Sequence, residues 1–353
     1  QAEDGIRDVA VTGVQTCALP IYMNQIARTN SRARLAALTA LATTAALPFT
    51  ALHAQDYPVK PIRMVVPYEA GGISDLILRL VQPKMGPLLG QQIIIENRPG
   101  AGGAIATDAA AKAPADGYTI LGTFDSFATV PFLYANVQHD PIRDFAPISL
   151  MARGPQVLVV DPALGLTNVD QFLQYARRKG SEVAFSTAGP GSSSRLSMEL
   201  FKTAAKIDTT FVSFKGGAPA VSAILGGHVT GMMASIGVVL NHVKSGKLTA
   251  LGVSSAGRRT PLLPTVPPLS ESVPGFDAQS WLGIVVPAGT PRAIVDRLNG
   301  AVVKSLNAPD VREKLEAQGM EVVGSTPEAY GEWIRNEIGK WRPIIQSLKL
   351  QIE

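Results

Sequence analysis

The chain has 353 residues, of which 46% are hydrophobic, 17% charged and 6% aromatic, and this is an ordinary globular composition. Its net charge of +4 comes from 32 basic and 28 acidic residues without a long basic run, so nucleic-acid binding is not expected. The 33 glycines and 26 prolines argue against a helical bundle and favour an α/β protein with many tight turns.

The first 22 residues differ in kind from the rest of the chain. Residues 11–21 (VTGVQTCALPI) back-translate into a string that resembles a sequencing-library adapter translated in frame. We interpret residues 1–22 as an assembly artefact that has no part in the fold; a natural N-terminal extension is the alternative. Because Cys17 is the only cysteine, no disulfide, thiolate nucleophile or cysteine-bound metal is expected in the remaining chain.

Residues 23–54 are interpreted as a secretory signal peptide. After Met23, three arginines precede an Ala/Leu-rich apolar stretch at 35–49, and a cleavage site follows Ala54. The apolar stretch is too short to span a bilayer comfortably. An amphipathic helix is the alternative, but the stretch has no polar face. The mature chain is therefore expected to begin at Gln55 and to be a soluble periplasmic protein.

From residue 61 onward, short apolar strands, glycine turns and helices recur at intervals of about 30 residues, which predicts βαβ units around a parallel sheet. Strands are predicted at 62–67, 93–96, 118–122, 156–160, 183–186, 211–214, 231–234, 248–253 and 281–286, and helices at 76–85, 104–113, 169–178, 193–204, 291–307 and 327–346. Five prolines between residues 261 and 274 indicate a surface connection.

This order of elements fits two α/β lobes. Crossovers between them are predicted near Val159 and Ala278. Lobe 1 then comprises residues 55–158 and 279–353, and lobe 2 comprises residues 159–278.

Two strand-to-helix turns have the composition of anion-binding sites. In the first, PYEAGGISD at 67–75, the adjacent Gly71 and Gly72 allow backbone N–H groups to point into one space where a helix begins. A helix N-terminus carries about half a positive charge, so a carboxylate is the expected ligand. Asp75 either caps this helix or accepts a hydrogen bond from the ligand.

The second turn, TAGPGSSSR at 187–195, repeats this pattern in the other lobe. Ser192 and Ser193 stand where the next helix begins, so each hydroxyl either contacts a ligand or serves as a helix N-cap. Arg195 lies in the first turn of that helix, where the helix dipole disfavours a cation. This placement favours a role at an anion site; a solvated surface arginine is the alternative.

The remaining motifs do not indicate catalysis or a cofactor. RPGAGGAIA at 98–106 superficially resembles a dinucleotide fingerprint, but the third glycine and the acidic residue about 20 positions on are missing. We interpret it as a tight turn with close helix packing. No serine-hydrolase elbow or zinc motif occurs, and the histidines after the signal, His139, His228 and His242, are scattered. No catalytic residue, metal ligand or cofactor is therefore predicted.

Together these motifs resemble those of the Bug family, also called TctC-like, the extracytoplasmic binding proteins of tripartite tricarboxylate transporters. The resemblance covers essentially residues 57–346. It rests on PYEAGGISD (67–75), ENRPGAGGAIA (96–106), ADGYTILG (115–122), DFAPISLMA (144–152), TAGPGSSSRLSMELF (187–201), FKGGAPAVSAILGG (214–227), LPTVPPLSESVPGF (263–276) and WLGIVVPAGTP (281–291).

The resemblance implies a type II periplasmic binding protein fold, in which two α/β lobes with parallel-rich sheets surround a central cleft that closes on a small carboxylate. It also implies that backbone N–H groups and ordered waters at the first glycine turn hold one carboxylate, while the serine-rich turn reaches in from lobe 2. Carried over to this sequence, the ligand-binding residues are Tyr68, Gly71, Gly72, Ile73 and Asp75 in lobe 1, Ala188, Gly189, Gly191, Ser192 and Ser193 in lobe 2, together with Thr123, Ser126 and Ser235.

The sequence departs from the family pattern at three places. Glu69 occupies a position that is usually small or proline, Val130-Pro131 replaces Asn-Pro, and Arg195 stands where histidine or asparagine is common. An arginine at the second turn would suit a second anionic group, because its planar fork can donate two hydrogen bonds to a carboxylate. Arg195 therefore joins the predicted ligand-binding residues, and di- or tricarboxylates are expected to bind better than monocarboxylates.

The sequence thus predicts a monomeric periplasmic protein that is not an enzyme. It is expected to bind a small organic acid, whether a mono-, di- or tricarboxylate, and to deliver it to the membrane subunits of a tripartite tricarboxylate transporter. Two alternatives remain open: an orphan receptor that presents its ligand to a sensor kinase, and a small exported serine hydrolase that uses Ser192 or Ser193. Neighbouring genes for two membrane subunits would favour transport, and a kinase gene would favour sensing.

Overall fold

The computed structural model describes residues 57–71, 73–189, 191–214, 216–347 and 349–350. The interpreted artefact at 1–22 with Cys17, the predicted signal at 23–54, and Gly72 of the first glycine turn lie outside the described residues. Among the helices that the structure does describe, none is long and apolar enough to cross a membrane.

Strands and helices alternate along the described chain. In chain order they are β1 (Ile62–Val66), α1 (Ile73–Leu89), β2 (Ile93–Asn97), α2 (Ala104–Ala111), β3 (Thr119–Phe124), α3 (Val130–Leu133), β4 (Phe145–Val160), α4 (Val169–Lys179), β5 (Ala184–Thr187), α5 (Ser193–Ala205), β6 (Thr210–Ser213), α6 (Gly217–Leu225), β7 (Gly231–Ser235), α7 (Ile236–Lys244), β8 (Thr249–Val253), β9 (Gln279–Pro287), α8 (Arg292–Leu306), α9 (Pro309–Ala317), β10 (Glu321–Val322) and α10 (Pro327–Ser347). The predicted α/β class is confirmed.

The sheet has two parallel halves that are joined by antiparallel strands. Its strand order is β2-β1-β3-β9-β4-β7-β5-β6, with β8 and β10 paired to β4. β1 runs parallel to β2 and β3, and β5 runs parallel to β6 and β7. β9 is antiparallel to both β3 and β4. We refer below to the half with β1, β2 and β3 as lobe 1 and to the half with β5, β6, β7 and β8 as lobe 2.

The long strand β4 belongs to both lobes. Its first part pairs with β9 as far as Pro155↔Gln279, and from Gln156↔Ser235 onward it pairs with β7 of lobe 2. The sequence predicts only the second part as a strand, because Pro147, Gly154 and Pro155 in the first part resemble loop residues. Two register shifts accommodate the irregular stretch. The predicted segment bounds of the lobes at 158/159 and 278/279 stay a prediction.

Each lobe has its own apolar core. In lobe 1, Leu78 and Met85 of α1 are fully buried in a cluster with the side chains of β1. In lobe 2, four phenylalanine rings pack in sequence, with centroids 5.3 to 6.3 Å apart: Phe185, Phe172, Phe201 and Phe276. Burial of such apolar surface is the main favourable contribution to the folding of each lobe.

A separate apolar cluster connects the two lobes. Leu133 of α3 and Leu196 of α5 are buried together with Trp341 and Ile345 of the C-terminal helix α10. Leu133 and α10 belong to the lobe 1 side, whereas Leu196 stands in the first helix after β5. The cluster therefore brings the start of α5 against lobe 1 at one end of the space between the lobes.

Candidate functional site

The predicted site residues lie where the parallel strands of each lobe end. The carboxyl ends of neighbouring parallel strands share one edge of a sheet, and ligands of open α/β sheets bind there. β1 and β3 lead into residues 67–75 and 123–126 of lobe 1, and β5 and β7 lead into residues 188–195 and Ser235 of lobe 2. All predicted residues except Gly72, which is not described, can thus be placed at these four strand ends.

The first turn is held by the buried carboxylate of Asp75, which is 1% exposed. Its Oδ2 accepts hydrogen bonds from the Gly71 N–H (2.9 Å) and from Arg79 Nε (2.8 Å). Its Oδ1 accepts one from Asn97 Nδ2 (2.9 Å). Although burial raises the pKa of Asp75, these hydrogen bonds hold it below its usual value. The geometry supports the capping interpretation of Asp75, since both oxygens already have donors within lobe 1.

Tyr68 and Ser126 join the ends of β1 and β3. Their hydroxyl groups form a hydrogen bond, and the Tyr68 ring packs edge-on against Phe124 with centroids 5.7 Å apart. Burial raises the pKa of Tyr68, so its hydroxyl stays protonated and can donate. Thr123 instead bonds through Oγ1 to the buried Tyr330 hydroxyl (2.5 Å), and Ile73 packs against the lobe 1 core.

Serine hydroxyls hold the second turn. Ser192 is the N-cap of α5: its Oγ accepts from the Arg195 N–H (3.4 Å) and lies 2.7 Å from the Gly189 carbonyl oxygen, to which it donates. Ser194 Oγ lies 2.8 Å from Ser192 Oγ and accepts from the Ala188 N–H (2.9 Å). None of these partners is a histidine or lysine, so the contacts described for Ser192 are those of a helix cap and do not activate a nucleophile.

Three predicted residues of lobe 2 have fewer contacts. Gly191 is buried, whereas Ser193 and Ser235 are half-buried. Ser235 ends β7 and precedes α7, but its side chain does not cap that helix. The hydroxyls of Ser193 and Ser235 are therefore better placed to meet a ligand than those of Ser192 and Ser194.

The contacts of Arg195 differ from those of the ligand-binding residue that the sequence predicts. Its Nε and Nη2 both donate to Oε1 of Glu199, at 3.0 and 2.6 Å, and its guanidinium lies 3.9 Å from the centroid of the Phe211 ring. Glu199 is buried and stands four residues on along the same helix, which is the spacing of an intrahelical ion pair. A guanidinium that reached into the cleft would leave this buried carboxylate unpaired, so the geometry does not favour Arg195 as a ligand contact.

Asp125 is a candidate site residue that the sequence motifs do not indicate. It begins the turn after β3, is 9% exposed, and accepts the Ser126 N–H through Oδ1 (3.0 Å). Burial, and to a lesser extent the negative charge of Glu337, raises its pKa to about 6, while the Ser126 N–H and the nearby hydroxyl groups of Ser193 and Ser280 oppose this rise. Since Ser193 belongs to lobe 2, the Asp125 carboxyl lies where the two lobes meet. An acidic residue three positions after the predicted strand at 118–122 was the available signal.

Gln156 is not indicated by the sequence either, because it begins a predicted strand and has the pattern of an ordinary sheet residue. It is 1% exposed, and its Nε2 donates to Ser280 Oγ of β9 (3.1 Å). Within the described part of the chain, Gln156 Oε1 and Asp125 Oδ2 are buried without a hydrogen-bond partner. Two acceptor atoms are thus left unsatisfied near the junction of the lobes.

The model of the tripartite tricarboxylate transporter family receptor (TctC) matches residues 77–350. The chain belongs to this family. The expected resemblance to the Bug and TctC proteins is therefore confirmed, and the family consists of receptors that bind solutes.

Solved structures of family-like proteins have the same fold. The periplasmic binding protein BugD is 31% identical, with a TM-score of 0.75 over 84% of this chain and 100% of its own. Two proteins of Rhodopseudomonas palustris are 32% identical over 82% of this chain: Rpa4515 with adipate (TM-score 0.76, 97% of that chain) and MatC with bound malate (TM-score 0.75, 100% of that chain). The two-lobed periplasmic binding protein fold predicted for the family is thereby confirmed.

Proposed function

We propose that this receptor captures a small organic carboxylate between its lobes and delivers it to the membrane subunits of a tripartite tricarboxylate transporter. The family assignment and the relatives with malate and adipate support a carboxylate ligand. The proposal includes a monomeric receptor in the periplasm, which is supported by the signal-like segment at 23–54 and by the periplasmic relative BugD. The ligand leaves chemically unchanged.

The observation that carries this proposal is that polar strand ends from both lobes face each other. Tyr68 and Ser126 contribute hydroxyl groups from lobe 1, and Ser193 lies opposite at the start of α5, close enough to Asp125 to influence its pKa. The N-terminus of α5 adds the partial positive charge of a helix start, which favours an anion. A carboxylate held there would contact both lobes and stabilise the closed arrangement.

The first experiment identifies the ligand. Protein expressed from Met23 with export intact is purified from the periplasm without denaturation, and the small molecules that it retains are released and analysed by mass spectrometry. We expect an organic acid and a mature N-terminus at Gln55. Recovery of a hydrolysed product that disappears in Ser192→Ala or Ser193→Ala would support the hydrolase alternative instead.

Site variants then test the location. By calorimetry with the recovered acid, Tyr68→Phe and Ser193→Ala should each weaken binding about fivefold, because a typical net hydrogen bond contributes about 1 kcal/mol. Ser222→Ala on α6 is the matched control: this exposed serine donates to the Ala218 carbonyl of its own helix, so the affinity should not change. Unchanged affinity in both site variants would contradict the proposed location.

A further inference from the structure

Two buried acceptor atoms without partners lie near the junction of the lobes. Asp125 Oδ2 comes from the end of β3, and Gln156 Oε1 from the point where β4 passes from one lobe to the other. A buried polar atom without a hydrogen bond is costly, and few native groups are left in that state. If the Gln156 amide is rotated by half a turn, its nitrogen takes that place, whereas the Asp125 oxygen remains an acceptor in either case.

The two residues belong to one polar cluster. Ser280 of β9 accepts the Gln156 Nε2 hydrogen bond at 3.1 Å and also acts on the Asp125 carboxyl. Ser193 of α5 acts on the same carboxyl from lobe 2, and Ser235 is the register partner of Gln156 in β7. The cluster therefore combines side chains from lobe 1, from lobe 2 and from the strands between them, as a ligand-binding floor would require.

The charge at this floor is negative. The groups next to the Asp125 carboxyl include the Ser126 N–H, the hydroxyls of Ser193 and Ser280 and the carboxylate of Glu337, and none of these is a cation. Glu337 of α10 accepts hydrogen bonds from Trp281 Nε1 and Trp341 Nε1, both at 3.0 Å, and contributes a second carboxylate. Tyr68, the other titratable group near Asp125, is neutral, because burial and the Asp125 charge raise its pKa.

Arg195, the basic residue of the second turn, does not neutralise the negative charge of Asp125 and Glu337. Arg195 donates through Nε and Nη2 to Glu199 and stacks on Phe211, so its charge is balanced within α5. A second ligand carboxylate at the floor would meet Asp125 and Glu337 as like charges. A hydroxyl could fill one acceptor but would leave the negative charge in place. An ammonium group has three donors, no acceptor and the opposite charge.

Building on the carboxylate-binding function above, we propose that the ligand is an amino carboxylate whose protonated amine binds Asp125 Oδ2, with the Gln156 side-chain oxygen as a second acceptor. Asp125 is then a specificity-determining residue. The carboxylate of the ligand is held at the turns of Tyr68 and Ser193, and the amine occupies the floor between them. This arrangement satisfies the unpartnered oxygens and offsets the negative charges of the buried Asp125 and the half-buried Glu337.

The test uses ligands that differ only at the group facing Asp125. Calorimetry on the unmodified protein compares aspartate, malate and succinate, and then 6-aminohexanoate, hexanoate and adipate. In the series whose chain length fits the site, the ligand that carries the amine should bind at least about tenfold more tightly than the other two ligands. This is the difference expected for one charge-assisted hydrogen bond. Asp125→Asn should abolish most of this preference, whereas the exposed Asp170→Asn on α4 should leave it unchanged.

The pH profile provides a second readout that needs no variant. Because a cation binds the ionised carboxylate, the affinity for the amine should fall as the pH drops below about 6 and level off above that value. Glu337 and Tyr68 are the other titratable groups near Asp125, and Tyr68 does not ionise in this range. The same pH profile measured on Glu337→Gln separates the effect of Asp125 from that of Glu337.

Three outcomes would overturn the inference. The first is equal affinity for amine, hydroxyl and unsubstituted ligands. The second is a preference for the amine that survives in Asp125→Asn. The third is carboxylate binding that strengthens below about pH 6, which would mean that a protonated Asp125 donates to the ligand. In each case the carboxylate still binds, so the proposed function stands. If the unmodified protein binds no carboxylate and retains none on purification, the proposed function fails and the inference fails with it.

Discussion

The two glycine turns occupy equivalent positions in their lobes but are held by different interactions. After β1, the buried carboxylate of Asp75 accepts hydrogen bonds from the Gly71 N–H and the Arg79 side chain. After β5, the hydroxyl groups of Ser192 and Ser194 hold the turn without a charge. Charge-assisted hydrogen bonds are stronger than neutral ones, but they depend on ionisation. Similar turns can therefore differ in strength and in pH dependence.

The helices that follow these turns differ as well. Leu76 and Leu196 are each the fourth residue of their helix, α1 and α5. Leu76 is 54% exposed, whereas Leu196 is 2% exposed and packs with Leu133 and Trp341 on the lobe 1 side. The first turn thus leads into a helix whose leucine is exposed to solvent. The second leads into a helix whose leucine is buried and connects the two lobes.

The largest expected effect is a difference in the free energy of unfolding between alanine variants of these two leucines. Leu196→Ala should lower the free energy of unfolding by about 3 kcal/mol, because it leaves a cavity in the cluster between the lobes. Leu76→Ala should change it by less than about 0.5 kcal/mol, since its side chain is half in solvent already. Urea denaturation of both variants checks this prediction, and equal losses would show that the two positions do not differ in their packing.

A smaller effect distinguishes the two ways of holding a turn. Asp75→Ala should cost about 2 kcal/mol at pH 7 and Ser194→Ala about 1 kcal/mol, since hydrogen bonds to a charged group contribute more. The pKa of Asp75 is lower in the folded protein, so its contribution is present above the unfolded value near 4 and is lost as the pH falls through the lower folded value.

Denaturation of the same two variants at pH 7 and at about pH 3 measures this difference. The gap between the unmodified protein and Asp75→Ala should narrow in acid, while the gap for Ser194→Ala should stay constant. A gap for Asp75→Ala that does not depend on pH would mean that its ionised carboxylate does not stabilise the first turn.

The smallest expected effect concerns Arg195. With its guanidinium bound to Glu199, Arg195→Ala should change the ratio of affinities for a dicarboxylate and its monoamide by less than about twofold. Calorimetry on this variant and on the exposed Arg178→Ala control tests the expectation. A selective loss of about tenfold or more for the dicarboxylate would show that Arg195 leaves Glu199 to contact the ligand, as its charge alone suggests.

Most elements could be predicted because their signals are local. Hydrophobic periodicity places the helix predicted at 193–204 within one residue of α5, and a glycine or serine turn follows the correct strand in both lobes. The first part of β4 could not be predicted, since Pro147 and Pro155 disfavour a strand until β9 pairs with them. Helices α6 and α7 were not predicted either, because each has only nine residues and is shorter than the window of about 11 to 18 residues over which a helical repeat is recognised.

The sequence by itself determined the α/β alternation and the positions of the two glycine turns, because these depend on neighbours within a few positions. Tertiary structure alone decided which polar groups meet. Asp125, Gln156, Ser193, Ser280 and Glu337 are distant along the chain, and they come together only where β4 and β9 join the lobes. The charge of Arg195 was visible in the sequence, but its partner was not: burial beside Glu199 and Phe211 decides where that charge is used.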